Sequence, residues 1–139
     1  KSASAGAPAA EYSFVWTRTD GTKYENLVPM ARPIAIVAPT ADAMVSKSMD
    51  LVIEFDAVAG PAEEVVCSID GVEGYTSNTV TAGNTCVLTP SELAELMPGP
   101  ATLAIHREHE SSATNGHEST GGDGFARYYG LEVEVTVVD

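Results

Sequence analysis

From residue 131 to residue 137 the chain alternates strictly, with Leu131, Val133, Val135 and Val137 apolar and Glu132, Glu134 and Thr136 polar between them. A period of two sends alternate side chains to opposite faces of an extended strand, so this segment is expected to turn one face to a core and the other to water. Residues 51–56 repeat the device, setting Leu51, Ile53 and Phe55 against Val52 and Glu54. In the next run Val65, Cys67 and Ile69 share one parity. The apolar composition agrees: 15 Val against 7 Leu, accompanied by 13 Thr, suit a pleated sheet rather than a helical bundle. A length of 139 residues leaves room for one domain and no second core.

Charge removes several functions. Seven Lys and Arg against 20 Asp and Glu leave a net charge of −13. Such a field repels phosphate backbones and anionic lipid surfaces, which argues against a nucleic-acid partner. No apolar run approaches the roughly 20 residues of a helical membrane span, so no transmembrane segment is expected.

Along the chain, turn residues separate short strands. Lys1 to Ala10 is composed of small residues that cannot bury enough surface to offset their ordering entropy, and residues 1–10 read as a flexible linker. An expression remnant, a truncation, or the segment after a cleaved signal or lipid-anchor site would each look like this; composition favours the last. Residues 11–139 are expected to form the single domain. In it, 11–28 make a hairpin, with Tyr12, Phe14 and Trp16 alternating before the Asp20-Gly21 turn, and 34–139 make the body. Pro29, Pro33 and Pro39 punctuate the segments before and after Ile34. Residues 75–80 suggest an irregular edge strand. Thr89-Pro90-Ser91-Glu92 has the spacing of a capping box with Pro at the first helical position, predicting a helix of about two turns whose apolar edge is Leu93, Leu96 and Met97. Residues 101–107 follow as a strand, and 108–124 read as one long loop.

Cys67 and Cys86 are the only cysteines, and their spacing fits no close metal motif. An intramolecular disulfide made in an oxidising compartment is the economical reading, closing a loop of about 20 residues; two buried free thiols are the alternative.

Short strands divided by Pro and Gly turns, with one helical turn late in the chain, predict an all-β antiparallel sandwich. The segments Pro33-Ile34-Ala35-Ile36-Val37-Ala38-Pro39, Leu51-Val52-Ile53-Glu54-Phe55, Val66-Cys67-Ser68-Ile69, Cys86-Val87-Leu88-Thr89-Pro90-Ser91-Glu92-Leu93 and Pro98-Gly99-Pro100-Ala101-Thr102-Leu103-Ala104-Ile105 follow in an order that resembles bacterial immunoglobulin-like or fibronectin-III-like domains of secreted and lipid-anchored proteins. The resemblance spans about residues 34–139 and rests on patterning. It implies an immunoglobulin-like sandwich with an N-terminal hairpin and one short helix. It also implies a non-enzymatic extracytoplasmic binding, adhesion or spacer module. Such a module would be periplasmic, secreted or at the cell surface, lipid-anchored through the N-terminal end, with an envelope protein or surface ligand as partner. Two features depart from antibody domains: no Trp lies beside Cys67, and the cysteines are not expected in the second and sixth strands.

The chemistry-bearing residues gather in one stretch. His106, His109 and His117 are the three histidines, and with Glu118 they could bind Zn²⁺ or Cu²⁺, making a metal-binding or enzyme-accessory domain the alternative function. Spacing of three in an extended chain sends His106 and His109 to opposite faces, so a shared ion requires a turn at Glu108; a solvated polar loop is the plainer reading. Within the same stretch Glu108, Glu110, Asn115, Asp123 and Tyr128 are the candidate binding-loop residues. No nucleophile elbow occurs, and the paired acids Glu63-Glu64 and Glu132 with Glu134 are expected on the solvated surface. No catalytic residue and no obligatory cofactor is therefore expected. The aromatic residues Tyr12, Phe14, Trp16, Tyr24, Phe125, Tyr128 and Tyr129 are expected to serve sheet packing, or otherwise a partner surface.

Overall fold

The computed structural model describes residues 11–29, 31–60, 63–111 and 124–139. Strands β1 (Glu11–Thr17) and β2 (Lys23–Pro29) pair antiparallel as a two-stranded sheet. Their turn has the chemistry its residues dictate: the Thr22 N–H donates to Asp20 Oδ1 at 2.9 Å, and Gly21 takes φ 85°, a left-handed value that favours glycine.

The body continues with β3 (Ile36–Ala38), β4 (Met44–Ser46), β5 (Leu51–Phe55), β6 (Glu63–Gly71), β7 (Tyr75–Val80) and β8 (Thr85–Leu88). A one-turn helix α1 (Pro90–Leu93) then precedes β9 (Gly99–Ser111), β10 (Gly124–Tyr129) and β11 (Val133–Val138). A small sheet has the order β3-β5-β8, and a curled mixed sheet has the order β4-β11-β9-β6-β7, with β10 also paired to β9.

Alternation places one core between the two sheets. Leu51, Ile53, Phe55, Cys86 and Leu88 enter it from the small sheet, and Val65, Cys67, Ile69, Leu103, Ile105, Val135 and Val137 from the large one. Each large aliphatic or aromatic side chain so buried contributes about 1.5–3 kcal/mol relative to exposure, which is why the period-two segments specify their register. The disulfide Cys67–Cys86 crosses this core from β6 to β8 with Cα atoms 6.4 Å apart, so one covalent bond ties the two sheets together. Leu93 and Leu96 close one end of the core. There the Glu92 carboxylate accepts the Thr89 N–H at 2.7 Å and the Thr89 hydroxyl at 2.8 Å, holding the helix start as the capping motif predicts.

Several expectations need correction. The helix is one turn rather than two, and Met97 is exposed. Leu131 is exposed as well, because it lies between β10 and β11 and outside the alternation that begins at Val133. The sheet is not wholly antiparallel: β4, a strand the patterning did not reveal, pairs parallel with β11. Residues 108–111, expected in a loop, continue β9, and the aromatic run 125–129 is strand β10 beside it. Two strands thus share one edge of β9. Gly130 makes the junction, donating its N–H to the Ile105 carbonyl at 2.9 Å in a space where a Cβ would meet the Ile34 carbonyl oxygen at 2.7 Å.

Candidate functional site

The extension of β9 past Arg107 carries polar side chains to both faces of the large sheet. On the inner face Arg107 follows the parity of Leu103 and Ile105 and is fully buried. Burial lowers its basicity, against the opposing charge of Glu63. Its Nη2 donates to the Val58 carbonyl at 3.1 Å, while Nε and Nη1 have no hydrogen-bond partner among the described residues. Glu63, expected at the surface, is also buried, and its Oε2 lies 3.7 Å from Arg107 Nε. The Glu63 carboxylate accepts a forked pair from Arg32, Nε at 3.3 Å and Nη2 at 3.0 Å, and the Gly60 N–H at 2.9 Å. Burial alone would push this carboxyl up; the Arg32 bonds, the Gly60 N–H and the charge of Arg107 outweigh it and hold the group below its ordinary value. His109 Nδ1 stands 3.9 Å from Glu63 Oε1. Through the Val58 carbonyl and the Gly60 N–H, the cluster is bonded to the backbone that follows β5.

On the outer face the pairing of β9 with β10 builds a ladder. Arg127 lies opposite Glu108, Tyr129 opposite His106 and Phe125 opposite Glu110. His106 Nε2 and Glu108 Oε1 are 2.9 Å apart, and since a carboxylate only accepts, the imidazole donates from Nε2. Arg127 forms an ion pair with the same Glu108 oxygen and donates to the Tyr129 hydroxyl at 2.8 Å. The phenol bond, with the Glu108 charge behind it, raises Arg127 above an ordinary guanidinium. Its guanidinium lies 5.0 Å from the Phe125 ring centroid and 5.7 Å from that of Tyr129, within cation–π range of both. The His106 and Tyr129 rings approach to 5.4 Å. Phe125 and Tyr129 remain 55% and 65% exposed, a large apolar area left in water by a well-packed domain.

The residues singled out in the sequence divide accordingly. Glu108 and Glu110 stand on the outer face, whereas Tyr128 is paired with Arg107. His106 and His109 occupy opposite faces of an uninterrupted strand, so the turn at Glu108 that a shared metal ion required is absent. Asn115, His117, Glu118 and Asp123 lie outside the described residues. Among the described residues no group of three or more His, Cys, Asp or Glu is placed to hold a metal ion, and no helix is long and apolar enough to cross a membrane. Sequence reasoning missed Glu63, Arg107 and Arg127. The available signal was parity: continued two residues past Ile105, the alternation puts Arg107 inside. Comparison with protein-family models, with curated proteins and with solved structures finds no match for this chain.

Proposed function

We propose that this is an immunoglobulin-like domain acting outside the cytoplasm as a non-enzymatic binding module. Strand order supports the fold reading: β3, β5 and β8 correspond to strands A, B and E of such a sandwich, and β6, β7, β9 and the β10–β11 edge to C, C′, F and G. The disulfide then joins C to E rather than B to F, while still spanning the two sheets. It also supports an oxidising compartment, because such bonds persist there and are rare in the cytosol.

The observation that carries the binding reading is the exposed Phe125-Arg127-Tyr129 ladder on the outer face of β9 and β10. Tyr, Phe and Arg are among the residues enriched at interfaces, and here the β9–β10 pairing sets all three on one face of the sheet. The experiment is affinity capture from the native envelope with the wild-type domain and with Phe125→Ala/Tyr129→Ala. A partner retained by the first and lost by the second is expected; equal capture by both would remove this face from the function.

A further inference from the structure

We infer that the outer face of β6, β9 and β10 docks a cationic, extended segment of another protein, one bearing Arg or Lys side chains. This rests on the binding reading above and names the chemistry of its partner.

Charge on that face is unbalanced. Glu64 lies directly opposite Glu108 in the β6–β9 pairing, and like charges at opposed positions destabilise a sheet. Glu108 already has two partners in its own chain, the Arg127 guanidinium in an ion pair and the His106 imidazole in a hydrogen bond. Glu64 and Glu110 are exposed and form no ion pair among the described residues. Folding thus gains nothing from this arrangement, and an incoming cation would relieve it. Farther down the same face Asp70 and Glu134 flank Thr102, with the Thr102 hydroxyl donating to Glu134 at 3.0 Å.

The rings select the kind of cation. Phe125 and Tyr129 already hold one guanidinium, that of Arg127, beside a carboxylate, which is the combination that recognises Arg and Lys side chains. Both rings keep more than half their surface in water, leaving area for a second such group. Glu64 faces Glu108 across the β6–β9 pairing, so Glu64 and Glu110 are diagonal neighbours about 7–8 Å apart, a separation that cations at alternate positions of an extended peptide match. A second copy of this chain is a poor occupant, because a two-fold contact would set this acidic face against itself and the chain carries −13 overall.

The test uses a fluorescein-labelled peptide with arginine at alternate positions, titrated with the whole domain at 0.15 M salt and read by anisotropy. Glu64→Gln/Glu110→Gln should weaken binding about tenfold, and Phe125→Ala/Tyr129→Ala comparably. Glu73→Gln/Glu95→Gln removes the same net charge away from this face and should cost less than about twofold, which separates docking from general attraction to an acidic protein. Circular dichroism confirms that each variant folds. Equal losses in the two acidic double variants, or no binding by the wild type, would overturn the inference, as would a homodimer in sedimentation that Phe125→Ala/Tyr129→Ala dissolves. A captured envelope partner that depends on Phe125 and Tyr129 but is indifferent to Glu64→Gln/Glu110→Gln would leave the binding reading standing and remove only the cationic partner.

Discussion

Glu63 and Arg107 sit diagonally across β6 and β9, 3.7 Å apart at their nearest charged atoms, where the core between the sheets reaches the segment that follows β5. The dependence is unequal: Glu63 also has Arg32 and the Gly60 N–H, whereas Arg107 has Glu63 as its nearest countercharge. Glu63→Gln leaves the Arg107 charge buried and uncompensated, and the expected loss is about 3 kcal/mol in urea unfolding. Arg107→Met keeps the volume and removes the charge, and Glu63 retains Arg32; this variant should be within about 1 kcal/mol of wild type. Were both to cost the same, the pair would be holding that segment by geometry rather than by charge balance.

The same carboxylate sets a pH dependence. Its folded-state value lies below the ordinary 4.5, so the unfolded chain binds the proton more readily than the folded one. The stabilisation is complete above the unfolded value and is lost as pH falls through the lowered folded value. Unfolding free energy should therefore hold steady down to about pH 5 and decline below it. Asp20, lowered by its bonds from Thr22, and Glu92, lowered by its bonds from Thr89, contribute with the same sign. Glu63→Gln should flatten the acid limb, and an unchanged limb would assign the effect to the other carboxylates.

Removing the inter-sheet tie should cost roughly 3 kcal/mol, the value chain-entropy reasoning gives for a closed loop of about 20 residues. The variant to measure is Cys67→Ala/Cys86→Ala, in which the two methyl groups also leave a small void in a core where both sulfurs are buried. A non-reduced wild-type mass lighter than the reduced dithiol form by two hydrogen atoms checks the bond itself.

Gly130→Ala tests the junction between β10 and β11. Its Cβ would sit 2.7 Å from a backbone oxygen of residue 34 and 2.8 Å from Ile105 Cγ2, so the strands must part. A loss of about 2 kcal/mol is expected from this overpacking, together with faster hydrogen exchange at the residue 130 amide.

Zn²⁺ should not bridge His106 and His109. Since they face opposite ways from one strand, His106→Ala and His109→Ala should alter any calorimetric Zn²⁺ signal independently of each other. A signal abolished by either substitution alone would require the strand to break at Glu108.

Local patterning was enough to find most of the elements. The alternations around Leu51, Val65 and Val133, the Asp20-Gly21 turn and the Thr89-to-Glu92 cap are short-range instructions, each written within a few residues, and the structure follows them. What only tertiary structure decided is which distant segments meet. Residues 108–111 look like a loop because His, Glu and Ser give no apolar stripe; they form strand because β10 pairs along all four and β6 pairs with Glu108 and His109 on the other side. Arg107 looks like a surface residue because a lone guanidinium does not belong in a core, and it enters this one because Glu63, 44 positions earlier, arrives beside it. The cysteines announced a bond, but not that it would cross from one sheet to the other. Periodicity states which way a side chain turns. The partner across the sheet, chosen by packing over the whole chain, determines what that side chain then means.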